Sequence, residues 1–177
     1  MLKIFSTQLS GIFKKIADQE YTIEDAARLL AQATVGDGHI YICGMNEMQG
    51  VLYEAIEGIE ALPYFQQLPP TAEAFSQLST ADRVIIITRY HNDQEAIDLA
   101  QRLYDQHIPF VALSTIQDEA QDGIQALADV HLDLHVKRGL VPTETGERTG
   151  FPSLLVALYA FHGISLTLKE LLDELED

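Results

Sequence analysis

The chain is poor in cysteine, in tryptophan and in positive charge. Of its 177 residues one is cysteine, Cys43, and none is tryptophan. A single thiol cannot close an internal disulfide, so a cross-linked scaffold is excluded and the core must hold the fold by itself. A domain of this length removes about 70% of its unfolded surface from water, which is enough without staples. Basic residues number 11 against 27 acidic ones, for a net charge of −16. That field repels nucleic-acid phosphates and anionic lipid, so neither nucleic acid nor a membrane is expected as a partner. Long apolar runs are also missing. The greasiest segment, Phe151 to Ile164, is interrupted by Pro152, His162 and Gly163, short of the roughly 20 residues that cross a bilayer. Met1 to Gln8 lack an apolar stretch followed by a cleavage site, so a reducing cytoplasm is the expected location. With no repeat, low-complexity tract or linker, residues 1–177 read as one domain. Within it, 1–35 form N-terminal helices, 36–165 an α/β core and 166–177 a C-terminal helix.

What is present is an alternation of periodicities. Ile4, Phe5, Leu9, Ile12, Phe13 and Ile16 recur at helical spacing over Leu2 to Ala17. Thr22 and Asp25 look like a capping box opening a second helix that Gly36 and Gly38 stop. His39 to Cys43 then reads as a buried strand ending at Gly44, and Glu47 to Ala61 as a helix. Further strands are predicted over Leu62 to Leu68, Arg83 to Thr88, Ile108 to Leu113 and Val130 to Val136. Helices are predicted over Ala72 to Leu78, Asp93 to Gln106, Ile124 to Leu127, Phe151 to Ile164 and Thr167 to Glu176. Strands alternating with helices, two of them continuous apolar runs, predict a flavodoxin-like three-layer α/β/α sandwich around a mostly parallel sheet of five strands.

In such sheets the ligand crevice lies beyond the carboxyl ends of the strands. Three loops are expected there: Gly44 to Gly50, Thr88 to Glu95 and Lys137 to Arg148. Arg89, Lys137, Arg138 and Arg148 fall in two of them, against the acidic background, which favours a small anionic ligand held by paired hydrogen bonds. The alternative is that these arginines pair with Asp93, Glu95, Glu144 and Glu147 and only stitch loops together. The length of the last loop is itself a hint, since long irregular stretches are often lids or binding loops.

The order of segments, with two N-terminal helices, a strand ending at Gly44 and then Ala81 to Thr88 running into Asn92 to Glu95, resembles the sugar isomerase (SIS) domain over nearly the whole chain. Phosphoheptose isomerase is the member it looks most like. That resemblance implies a homodimer or tetramer binding a sugar phosphate or related carbohydrate derivative, with aldose–ketose isomerisation as a further step and no cofactor. A non-catalytic ligand-sensing module is the alternative. The family's loops read approximately Gly-x-Gly-x-Ser and Ser-x-Ser-Gly-x-Thr-x-Glu. Here Gly44 is kept, while Asn46 stands at a glycine and Met48 at a serine, with Glu47 between them. Thr88 and Glu95 match, while Tyr90, His91 and Asp93 replace the second serine, the glycine and the threonine. The resemblance therefore implies a ligand site made of Gly44, Asn46, Glu47, Met48, Thr88, Arg89, Tyr90, Asn92, Asp93 and Glu95, with Lys137 and Arg138 added for their charge.

Isomerisation through an enediol needs an acid and a base. The resemblance implies a glutamate after the first loop and a histidine in a C-terminal helix, for which Glu54, Glu57 and His162 are the candidates. The family's glutamate falls nearest Gly58. A solvated helix face is the bland reading of Glu54 and Glu57, and a satisfied histidine at a helix end, beside Gly163, that of His162. His91, between Arg89, Tyr90 and Asn92, is the candidate of the ligand loop itself. His91, Asp93, His131, Asp133 and His135 raise a metal site, because alternate strand residues share a face. A strand at the sheet edge with one polar face explains them as well, and no metal is assigned. The helix Phe151 to Phe161, apolar all round, is either buried or a subunit interface.

Overall fold

The computed structural model describes residues 1–176. Asp177, the last residue of the C-terminal helix expected from the sequence, lies outside the described residues. Five strands form one parallel sheet: β1 (Ile40–Gly44), β2 (Phe65–Gln67), β3 (Arg83–Tyr90), β4 (Phe110–Thr115) and β5 (Val130–Asp133), in the order β2-β1-β3-β4-β5. On one face lie α1 (Leu2–Ala17), α2 (Glu20–Val35), α3 (Gln49–Glu57) and α7 (Ser153–Glu176). On the other lie α4 (Ala72–Ser76), α5 (Gln94–Asp105) and α6 (Ile124–Leu127). This is the expected three-layer sandwich.

The strand sequences dictate the layering. Successive side chains of a strand point to opposite faces, so β3 sends Ile85 and Ile87 into one core and Val84 and Ile86 into the other. β4 divides in the same way, Val111 and Leu113 against Phe110 and Ala112. A run apolar at every position is therefore what a central strand covered on both faces requires. β5 is an outer strand, and its row of unpaired backbone groups is a liability there. The Gln19 side chain covers part of it. Its amide nitrogen donates to the Asp133 carbonyl (2.8 Å) and its oxygen accepts from the Asp133 N–H (3.1 Å).

Several boundaries move. α2 begins at Glu20 with Gln19 as its cap, so Thr22 and Asp25 lie inside the helix and form no capping box. α3 stops at Glu57, where the Gly58 N–H closes back onto the Glu54 carbonyl. The stretch from Lys137 to Arg148 is not structureless: β6 (Val141–Pro142) pairs with β7 (Arg148–Thr149), and the Arg148 guanidinium staples the hairpin base by donating to the Gly139 and Leu140 carbonyls (2.6 and 2.7 Å).

The largest change is at the C-terminus. The two helices expected over Phe151 to Ile164 and Thr167 to Glu176 are one helix of 24 residues, α7. By length and composition alone α7 could cross a bilayer, contrary to the count made on the sequence. Its apolarity has another use here, since Val156, Ala157, Ala160, Phe161, Ile164 and Leu168 are all buried in the core. Gly163 lies inside this helix, and a Cβ added there would meet Ile23 of α2 at 3.4 Å, an ordinary packing distance. Gly163→Ala should therefore stabilise the protein by up to about 1 kcal/mol, the helix-propensity difference, read as an increase in Tm. A loss of stability would mean a helix break at this point.

Candidate functional site

The winding of the sheet reverses between β1 and β3: the chain leaves β1 toward β2 and leaves β3 toward β4. At such a switch point the two following loops diverge and open a crevice. In the first loop Gly44 is required, because a Cβ there would lie 2.5 Å from the Met48 carbonyl of the 3-10 turn Asn46–Met48. Asn46 has φ of 51°, a left-handed conformation that asparagine tolerates better than most residues. Met45 is buried in one core and Met48 in the other, so the loop is pinned across the end of the sheet. Glu47 is left facing the crevice. Met48, expected at the ligand, is a core side chain.

On the other side, the register between β3 and β4 slips between Ile87 and Tyr90, a local irregularity of the kind that re-aims side chains. Arg89 reaches across and holds Glu47 with two parallel hydrogen bonds, Nε to Oε1 at 2.8 Å and Nη2 to Oε2 at 2.7 Å. The Ser153 hydroxyl at the start of α7 donates to Glu47 Oε1 at 2.7 Å. Tyr90 meets Phe151 edge-on, with ring centroids 6.2 Å apart. Glu47, Arg89, Tyr90, Phe151 and Ser153 line an open hollow of about 460 Å³. Arg89 above all, through its hydrogen bond, pulls the Glu47 carboxyl down to about 2, and Glu47 in turn raises Arg89. The pair cancels, so the lining carries no net charge.

This corrects the expected positive bias. Lys137 and Arg138 are exposed and do not line the hollow. They follow β5, two strands from β3, a separation of roughly 10 Å at ordinary strand spacing. Nor does Arg89 take any of the acidic partners expected from the sequence; its carboxylate is Glu47.

The second loop is closed on itself. Thr88 is fully buried and its hydroxyl donates to Asp93 Oδ2 at 2.7 Å. Asp93 Oδ1 accepts from the backbone N–H groups of Glu95 and Ala96 (3.1 and 3.4 Å), capping α5. Asp93 thus occupies, from within the chain, the hydrogen-bond donors that a bound anion would use. Glu95 and Asn92 point outward, Asn92 bonding Gln121 Oε1 at 3.2 Å.

His91 is fully buried. Its Nδ1 accepts from the Gln117 N–H (3.2 Å), which leaves the proton on Nε2 to be donated to the Gln121 carbonyl (3.2 Å). Both nitrogens are spent joining the loops after β3 and β4, so His91 faces no ligand and is a strut. Glu57 is exposed at the last residue of α3. Glu54 and His162 do meet, Oε1 to Nε2 at 3.7 Å, on the flank of α3 and α7. His162 lies nine residues beyond Ser153, about 13 Å along the helix, so this pair is not in the hollow.

The histidine-rich edge is also divided among separate partners. His131 Nε2 lies 2.8 Å from the Ser114 hydroxyl, and His135 Nδ1 lies 3.2 Å from Asp133 Oδ2, beyond the end of β5. Among the described residues no group of three or more His, Cys, Asp or Glu is placed to hold a metal ion. Ser153 and Phe151 escaped the sequence reading. Their signal was the polar residue after Pro152 at the head of an apolar helix, a usual helix start.

The architecture is the SIS fold. Vibrio vulnificus NanR complexed with ManNAc-6P superimposes with a TM-score of 0.70 at 16% identity, over 96% of this chain and 62% of that one. Escherichia coli CFT073 c3406 in complex with A-5P gives 0.68 at 15%, over 99% and 89%. The sugar isomerase domain of the Sphaerobacter thermophilus RpiR transcription factor gives 0.60 at 13%, over 99% and 97%. At these identities the likeness defines the fold and does not single out phosphoheptose isomerase. In sequence, residues 1–172 match the family described as Domain of unknown function (DUF2529), and the chain belongs to it. Bacillus subtilis strain 168 has a relative, the Uncharacterized protein YwjG, 46% identical over 175 residues, which are 98% of this chain and 99% of that protein.

Burial pushes the His131 ring down to about 4. Unfolded, the same ring titrates near 6.5, so the unfolded chain binds more protons between these values and stability falls as pH drops from 6.5 to 4. The difference in Tm between the parent and His131→Gln should shrink across that window and hold constant above about pH 7. A difference that does not change with pH would show that the ring is not buried as a neutral group.

Proposed function

We propose that this chain is a ligand-binding SIS module for a small anionic carbohydrate derivative, a sugar phosphate foremost, and that it does not catalyse isomerisation. The observation that carries the reading is Arg89 at the switch point, with Ser153 beside it and Tyr90 and Phe151 around the same hollow. A guanidinium fork suits a phosphate or carboxylate, and aromatic rings suit the apolar face of a sugar. The sugar phosphates bound by NanR and by c3406 on the same fold support the choice of ligand.

Isomerisation would need an acid and a base at the reacting carbons. Among the described residues the only carboxylate lining the hollow, Glu47, is a weak base at about 2, His91 is enclosed, and Glu54 with His162 stands on the flank. We propose a cytoplasmic protein of one domain that forms a homodimer or tetramer covering Leu155, Tyr159 and Leu166, three of the exposed apolar positions of α7.

Incubation with sedoheptulose 7-phosphate and other ketose phosphates should raise Tm without forming product, and Arg89→Met should abolish the rise. No shift with any sugar phosphate removes the binding function; product formation removes the non-catalytic part. Light scattering should give a mass of two or four chains, and a monomer at micromolar concentration would contradict the assembly.

A further inference from the structure

Two carboxylates of the chain sit at the crevice as bound anions would, and they are held differently. Asp93 is built into the start of α5 and into the buried Thr88 hydroxyl, so removing it would undo a helix cap. Glu47 has no such anchorage. It stands on a three-residue turn beside the left-handed Asn46, and apart from its own backbone N–H its side chain bonds only to Arg89 and Ser153. The ion pair is open to solvent, with side-chain exposures of 44% for Arg89 and 30% for Glu47.

We propose that Glu47 is a displaceable internal counter-anion: the phosphate of the ligand takes its place on Arg89 and Ser153, and the Glu47 side chain swings out into solvent. The inference deepens the reading given above and rests on it for the identity of the site. With Glu47 seated, an arriving anion meets a lining without net charge and a guanidinium edge already in use. With Glu47 displaced, the same Arg89 edge and the Ser153 hydroxyl face the newcomer, and the local charge becomes positive.

The arrangement also selects among anions. The internal carboxylate competes at a high effective concentration, because the turn holds it in reach. A monoanionic carboxylate from solution makes the same contacts without that advantage and loses. A phosphate near neutral pH brings more charge and a third acceptor oxygen, so it is the anion suited to displace Glu47. Glu47 therefore acts as a threshold: it lowers affinity for every anion by the same factor, so that the anion of highest intrinsic affinity, a dianion, is the one that still binds.

The test is titration calorimetry near neutral pH on the full chain with inorganic phosphate as probe. Glu47→Gln keeps the side-chain shape and removes the competing charge, and it should bind phosphate about tenfold more tightly than the parent. Glu47→Ala should change affinity in the same direction, which guards against an effect peculiar to the amide. Arg89→Met should remove phosphate binding from the parent and from both variants. Acetate should gain by about the same factor as phosphate, because an internal competitor that must leave first weakens every anion alike, and should remain the weaker ligand. Unchanged or weaker phosphate binding in both Glu47 variants, with circular dichroism like the parent's, overturns the proposal, and so does a lack of binding by all three proteins. Sugar phosphates run alongside separate this result from the function itself. If the variants gain phosphate binding but no protein takes a sugar phosphate, the ligand assignment falls and the displaceable carboxylate stands. If the parent binds a sugar phosphate as tightly as the variants do, the reverse holds.

Discussion

The bridge from Arg89 to Glu47 and on to Ser153 joins three segments that the sheet topology drives apart. Loops after β1 and β3 leave in opposite directions because the winding reverses between those strands, and α7 arrives only after the chain has gone out to β5 and returned. A charged group reaching across that gap needs a partner of opposite sign and matched geometry. A bidentate arginine–carboxylate pair supplies both. The hydroxyl at the head of α7 then ties the third segment to the other two. Exposed ion pairs contribute little stability on their own, so the value of this one is in placement.

That placement depends on the apolar residues beneath. Met45 and Met48 drop into different cores, which fixes the turn that presents Glu47. Gly44 lets the turn fold back on the strand end, and the register slip at the end of β3 sets the position of Arg89. His91, spent on the Gln117 and Gln121 backbone, keeps the floor beside Asp93 rigid. His91, which the sequence assigns to chemistry, thus serves as structure, and Gly44 and Met48, expected at the ligand, do the positioning.

The fold was legible because its signals are local and repeated. Arg83 to Thr88 can be little else than a central strand, and the alternation around it leaves a doubly covered parallel sheet as the economical arrangement. Boundaries failed where a tertiary contact outweighed a local cue. The sequence ends one helix at Ile164 and opens another at Thr167, yet the buried residues Phe161, Ile164 and Leu168 continue one stripe across the gap and α7 runs through it. The site was legible only in part, because partner choice is a matter of register and strand order. Nothing in the spacing of Arg89 points to Glu47, 42 residues earlier, rather than to the nearby Asp93 or Glu95. Lys137 and Arg138 looked like site residues because a linear reading places every loop of one rim together, while the strand order puts β5 at the margin.

Asp93 in place of a threonine in the second loop, and Glu47 beside Met48 in the first, have one physical meaning. A hydroxyl at the start of a helix leaves the backbone donors available and can add a hydrogen bond to an incoming anion. A carboxylate in the same position takes those donors and opposes the anion by charge as well. Asp93 does this at α5 and Glu47 does it at Arg89, so both anion positions at the crevice are satisfied before any ligand arrives. Such a chain can fold and cap its helices without a bound phosphate. An empty site of uncompensated positive charge would instead attract phosphates and acidic segments indiscriminately. In the exchange we propose, one anion replaces another, and affinity is set by the difference between them rather than by the strength of the arginine contact alone.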